Sequence, residues 1–288
     1  MIEIKSRLDG NRWLFNQFSS IDELTKWLDD EKNQKHGRDN SSHSKDSDFT
    51  GTSSYNQAVE LLKYGDKETY DYIKEKQRKI KIDELVGNAM NKAKIYNDVV
   101  GYQPCVPLFL NNVPTNMINM KKKNLNTKII NIYLDICCSA WVSSNTLRDA
   151  GTMYATALDI IEKSGYRVNL YIGDASKYDD EVTLWCLKVK TDREPLNLEK
   201  MAFTIANPSI LRRIGFKYQE TCNSEQDFTH HGYGQPYDNE KKMEEIFKKN
   251  LDIDMMVFTY QHLDDDSDKL LQSIIERLKK KGITIGDE

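Results

Sequence analysis

The sequence has no apolar run approaching the roughly 18 residues that a membrane-spanning helix needs; its apolar stretches are short strings such as Val106 to Leu110. Cysteine is sparse, and its five residues are odd in number and irregularly spaced. That pattern argues against a disulfide framework and fits reduced thiols in a cytosol. The 14 glycines form no Walker or dinucleotide-type phosphate loop. Neither sign of charge dominates: 41 Lys and Arg against 45 Asp and Glu give a net −4. A globally basic nucleic-acid binder is thereby excluded, although a local basic patch is not. Met1 to Gly10 carries charges where a secretory signal would hold its apolar stretch. What is present is a polar chain with 39% hydrophobic and 10% aromatic residues. Such a chain has enough apolar surface for a folded core and is unlike a solvated tail. The expectation is an intracellular globular protein without a membrane partner.

Periodicity divides the chain. Residues 1–100 are expected to be mainly helical, with helices over 21–28, 55–63, 68–80 and 83–96. Residues 37–54 are rich in Ser, Asp and Gly and are expected as a mobile, protease-sensitive loop. Residues 101–128 form a strap and joint. Pro104, Pro107 and Pro114 each lack an N–H donor, so an extended segment lying against the core is expected. The joint adds four lysines in 121–128. From 129 to 288 the pattern changes to strands at 129–136, 166–172, 182–190 and 255–260, alternating with helices at 144–164, 198–205, 239–249 and 267–281. This order predicts an α/β sheet with covering helices. The turn between the second and third of these strands is placed after Gly173-Asp174.

The sharpest chemical feature is Asp135-Ile136-Cys137-Cys138-Ser139, at the carboxyl end of the first of these strands, where ligands of open α/β sheets bind. The spacing resembles the von Willebrand A domain, whose metal site begins Asp-x-Ser-x-Ser. The resemblance implies a Rossmann-like, von Willebrand A-like domain over 129–288, with the helical N-terminal part packed on it. Asp135 and Ser139 match and could hold Mg²⁺, with Thr204, Asp264 or Asp265 as further ligands. Cys137 replaces the first serine, and a thiol suits softer metals. A packed strand end without a cofactor is therefore expected, with Mg²⁺ at Asp135 and Ser139 as the alternative. Cys137 and Cys138 are expected as buried thiols, since no second cysteine pair is available for zinc. His230-His231-Gly232-Tyr233-Gly234 is expected as a glycine-rich surface loop.

Cations cluster at Lys74, Lys76, Arg78, Lys79 and Lys81, beside Tyr70 and Tyr72. Lys121, Lys122 and Lys123, and the pair Arg212 and Arg213, are the other clusters. Cations meet phosphates and aromatic rings stack on bases, so these ten residues are the candidates for contact with RNA.

Four stretches taken together are similar to a further family. They are Phe49 to Tyr55, running into Ala58 to Leu62 and Gly65-Asp66; Gly101-Tyr102 to Asn119; Leu147 to Gly151 with Gly165 to Val168; and Phe203 to Arg213. Their order resembles an uncharacterised protein family of bacteriophages and prophages. That resemblance implies a phage origin, the host cytoplasm and an accessory role, and it carries over no catalytic residues. With no complete catalytic constellation in the sequence, the expectation is a protein that binds RNA or a host nucleoprotein complex. Inhibition of a host CRISPR-type or other immune complex is one use of such binding. A metal-dependent adaptor or enzyme built on Asp135 and Ser139, or a virion assembly factor, are the alternatives.

Overall fold

A computed structural model describes residues 1–8, 10–30, 33, 40–80, 94–101, 103–121, 128–222, 233, 235–237, 239–259 and 267–280. The first two elements are strands rather than helices: β1 (Ile2–Leu8) and β2 (Asn11–Phe18) form an antiparallel hairpin. Helix α1 (Ile21–Asp29) follows, with Ser20 accepting from the Glu23 amide as its N-cap. A short 3₁₀ turn (Ser41–His43) and a one-turn helix α2 (Ser47–Thr50) occupy the segment expected as a mobile loop. Helices α3 (Tyr55–Tyr64) and α4 (Lys67–Gln77) are capped by Ser54 and Asp66.

The second half supplies β6 (Ile129–Asp135), α6 (Ser144–Lys163), β7 (Arg167–Tyr178), β8 (Glu181–Lys190) and α7 (Leu198–Ala206). A π-helical turn (Ile210–Gly215) then runs into α8 (Phe216–Thr221), followed by α9 (Glu240–Asn250), β9 (Met255–Phe258) and α10 (Ser267–Lys280). Strand β7 continues through Gly173-Asp174 to Tyr178, so the hairpin to β8 turns at Asp179-Asp180 and not where the Gly-Asp dipeptide suggests.

One mixed sheet in the order β1-β2-β8-β7-β6-β9 takes strands from both ends of the chain. β2 lies parallel to β8, and β6 lies parallel to both β7 and β9. The molecule is thus of the α/β class. Alternation along β2 sends Leu14 and Phe18 to one face and Trp13 and Phe15 to the other. The first face meets a thick helical layer built around α6, which packs against α4, α7 and α10. The second face is covered by Met243, Ile246 and Phe247 of α9.

Residues 94–121 fold differently from the expected strap. Strands β3 (Lys94–Asp98), β4 (Gln103–Pro104) and β5 (Met117–Lys121) make a separate three-stranded sheet, with a short helix α5 (Val106–Leu110) between β4 and β5. Most of the helix expected at 83–96 lies outside the described residues, and its last positions are strand. This small sheet leaves Val99, Val100, Val106, Phe109 and Leu110 exposed, so the segment presents apolar side chains outward.

The contact between α6 and α7 depends on a residue without a side chain. A Cβ built on Gly151 would lie 2.3 Å from the Ala206 Cα and 2.5 Å from the Ile205 carbonyl oxygen. Both obstacles are backbone, so neither can rotate away. Gly151→Ala is expected to destabilise the protein by roughly 2–3 kcal/mol despite alanine's higher helix propensity. A urea midpoint equal to or above that of the wild type would show that the two helices separate freely.

Candidate functional site

Where β6 ends beside the interior of β7, two carboxyl groups are shut inside the protein. Asp135 is 1% exposed. Its Oδ1 accepts from the Cys137 amide at 2.8 Å, and its Oδ2 accepts from the Ala175 amide at 3.2 Å and the Tyr133 hydroxyl at 3.3 Å. Asp174, on the next strand, accepts from the Ser176 hydroxyl at 2.8 Å through Oδ1 and from Gln219 Nε2 at 2.6 Å through Oδ2. Gln219 Nε2 also donates to Ser176 Oγ at 2.9 Å, which ties α8 to the sheet. Burial raises both carboxyls above the usual carboxylate range, and the charge of Asp174 pushes Asp135 further. The same burial lifts the Cys137 thiol well above its ordinary value and the Cys138 thiol to about 12. Both thiols are therefore protonated at neutral pH and packed, as the sequence suggested.

This geometry does not bring the two expected Mg²⁺ ligands together. Asp135 points its oxygens at internal donors, while Ser139 is exposed and accepts from the Trp141 amide at 3.4 Å. Thr204 is buried in α7 and donates to the Met201 carbonyl, and Asp264 and Asp265 lie outside the described residues. Among the described residues no group of three or more His, Cys, Asp or Glu converges as a metal site.

Arg212 and Arg213 are a correction to the expected RNA surface, since both are buried, at 1% and 0% exposure. Arg213 Nε donates to Thr52 Oγ1 at 2.7 Å. One terminal nitrogen donates to the Ser42 and Ser44 carbonyls at 2.9 and 3.2 Å, and the other to Thr50 Oγ1 at 2.8 Å and the Thr52 carbonyl at 2.5 Å. All five acceptors are neutral oxygens, and burial lowers the arginine's pKa. Arg212 stacks on the Phe49 ring at 4.0 Å and donates to the Phe49 carbonyl at 2.6 Å, to Ser144 Oγ at 3.2 Å and to the Val142 carbonyl. Further along, on α8, Glu220 accepts from the Ser42 amide at 2.9 Å and the Ser42 hydroxyl at 2.5 Å. The segment from Ser41 to Thr52 is thus clasped by the π turn and α8. That is why a composition typical of a loose loop folds here with Ser42, Thr50 and Thr52 buried.

Asp66, Asn207 and Ser209 join the same cluster. Asn207 Nδ2 donates to Asp66 Oδ2 at 2.7 Å, and Ser209 Oγ donates to the Thr50 carbonyl and meets Thr52 Oγ1 at 2.9 Å. Gly51 has φ of +83°, and a Cβ there would meet Asn207 Oδ1 at 2.9 Å, so a glycine is required twice over. The stretches around Gly51, Asp66 and Asn207, far apart in sequence, therefore meet in one cluster.

The expected basic surface is reduced accordingly. Lys76 is half-buried, bridges Asp149 at 2.8 Å and lies over the Tyr72 ring. Lys74 lies over Tyr70 and donates to Gln77 at 3.5 Å. Arg78 and Lys79 are exposed, with Lys79 at 3.4 Å from Glu75. Lys81, Lys122 and Lys123 lie outside the described residues, as does the side chain of Lys121. Of the histidine segment only Tyr233 is described. It stacks on Phe216 and donates to Glu220 at 3.2 Å, so it faces inward.

Two outcomes follow from these clusters. The folded-state pKa values of Asp135 and Asp174 lie above those of the unfolded chain. Their contribution is therefore fully favourable below about pH 4, and stability is lost as pH climbs through the raised folded values. Asp174→Asn removes one buried charge, and Gln219 can turn its amide to accept from the new Nδ2. The variant should show a flatter fall in melting temperature between pH 5 and 9 than the wild type; an unchanged slope would mean that the pair does not couple. For the clasp, Arg213→Lys leaves at most three donors at one point where five bonds fan out. A loss of about 2–4 kcal/mol in urea unfolding is expected. Thermolysin should then cut the variant first within residues 40–54, a segment the wild type protects. First cleavage elsewhere in the variant would show that Arg213 does not hold the segment.

No curated protein and no solved structure matches the chain. A family profile described as a domain of unknown function, DUF7192, does match it over residues 5–285, from β1 to beyond α10, and the chain belongs to that family.

Proposed function

We propose that this protein acts by binding, and that its target is a nucleoprotein assembly engaged chiefly through protein contacts. The observation that carries this reading is the small sheet at 94–121. Its turn and helix expose Val100 at 71%, Phe109 at 60% and Leu110 at 73%, on a segment flanked in sequence by the cation runs at Lys74 to Lys81 and Lys121 to Lys123. Apolar side chains grouped on one projecting element mark interaction sites, and aromatic residues set among them commonly become anchors. Flanking lysines and arginines would add a salt-dependent contact to phosphates. The titratable residues described at the strand ends are enclosed, which favours binding over catalysis, because a reacting group must reach its substrate. In the setting implied by the family resemblance, such a protein would be a phage accessory factor in the host cytoplasm, directed at a host complex such as a CRISPR-type defence assembly.

The experiment compares the wild type with two surface variants in capture from phage-infected cells, followed by protein identification and RNA sequencing. Phe109→Asp with Leu110→Asp is expected to remove the protein captured by the wild type while leaving weak binding to a labelled single-stranded RNA. Arg78→Glu with Lys79→Glu is expected to weaken that RNA binding at about 50 mM salt and to flatten its salt dependence, leaving the protein partner bound. If the Phe109→Asp/Leu110→Asp variant captures the same protein as the wild type, the proposed contact surface is wrong. If the wild type binds no RNA at low salt, the target is protein alone.

A further inference from the structure

We infer that the open edge of the six-stranded sheet is the interface of a twofold dimer, in which β1 of one copy pairs antiparallel with β1 of a second copy. The two edges of this sheet are treated differently. At one end β9 is only four residues long, wholly buried and packed beneath α10. At the other, β1 runs seven residues with an unbroken register to β2 and contains no proline or bulge. Short, covered edges are how sheets avoid pairing with other chains, and a long regular edge invites it. Among the described residues β1 pairs only with β2, and Ile2 is 52% exposed.

The side chains of β1 select a copy of itself. Glu3, Lys5 and Arg7 alternate with Ile2, Ile4, Ser6 and Leu8, so charge lies on one face and mostly apolar groups on the other. An antiparallel pairing centred on Lys5 sets Glu3 opposite Arg7 of the second copy, and Arg7 opposite its Glu3. On the other face the same register sets Ile2 opposite Leu8 and Ile4 opposite Ser6. Two ion pairs and two Ile–Leu contacts are thus gained at once, and cross-strand pairs of this kind stabilise a ladder. The one like-charged meeting, Lys5 with Lys5 at the axis, is softened because each Lys5 stands 3.3 Å from its own Glu3.

The neighbouring charges agree. A groove of about 400 Å³ beside the hairpin is lined by Lys5, Arg7, Arg12 and Glu181 among others. Arg12 is matched there by Asp180 at 3.7 Å and Glu181 at 3.5 Å, and Lys5 by Glu3, whereas Arg7 has no ion pair among the described residues. Glu3 of a second copy supplies the missing anion. Joining the two edges makes one continuous twelve-stranded sheet, closed by the twofold axis so that no further copy adds.

Sedimentation analysis of the full chain tests this. The wild type is expected to form a dimer. Glu3→Arg puts two cations opposite each other at both ends of the ladder, and Arg7→Glu puts two anions there; each should raise the dissociation constant by about tenfold or more. An equimolar mixture of the two variants restores both ion pairs and should associate again, as should the double variant Glu3→Arg/Arg7→Glu. Circular dichroism of each variant controls for folding. A wild type that stays monomeric at about 100 μM would overturn the proposal and leave the edge to a foreign strand. So would a wild-type dimer that neither substitution weakens, or folded single variants that fail to associate when mixed.

Discussion

Burying the Arg213 guanidinium strips it of water, and each of its donors then has to be met by an oxygen held in place. Those oxygens come from Ser42, Ser44, Thr50 and Thr52, so one side chain decides the course of the segment from Ser42 to Thr52. The segment in turn receives Arg212 on the Phe49 ring and Glu220 on Ser42, and α3 starts directly from its end. Because the arginines sit on a π turn rather than an ordinary helix, the chain from Ile210 to Gly215 is fixed in an uncommon geometry. Loosening that one cation would release the segment from Ser42 to Thr52 from the π turn.

The acidic network at the strand ends obeys the same constraint with the opposite sign. Asp135 and Asp174 are surrounded by amides, hydroxyls and a glutamine, with no cation among the described residues in hydrogen-bonding contact. Sealed polar clusters of this kind specify a unique packing of strands and helix more than they add stability. The proposed binding rests instead on the apolar side chains that 94–121 exposes.

Much of the α/β pattern was legible because it is local. The periodicity of 144–164 and the β-branched run at 129–136 read correctly as α6 and β6. The N-terminal hairpin is less legible: Ile2, Ile4 and Leu8 alternate with Glu3, Lys5 and Arg7, but one short strand with Ser6 among its apolar positions carries a weak period, and the charges stand out more than the alternation. Gly173-Asp174 looks like a turn, yet glycine is there because a Cβ would collide with the Trp185 carbonyl oxygen. The adjacent arginines at 212 and 213 read as a surface patch, since the oxygens that bury them come from far away in the chain. Long-range partners of this kind leave no local signal.

That distance has a consequence for how the molecule is made. Ser42 and Arg213 are 171 residues apart, and Tyr218 reaches Asn16 across 202 residues. At ribosomal speeds of about 5–20 residues per second, the early strands and the serine-rich segment wait on the order of ten to thirty seconds for their partners to emerge. During synthesis the β1–β2 hairpin therefore exists with both of its edges open, in a cell full of other nascent chains. The charged residues at alternate positions of its outer strand disfavour strands that are apolar or carry a mismatched charge, so a complementary copy is the partner that fits even before there is a sheet.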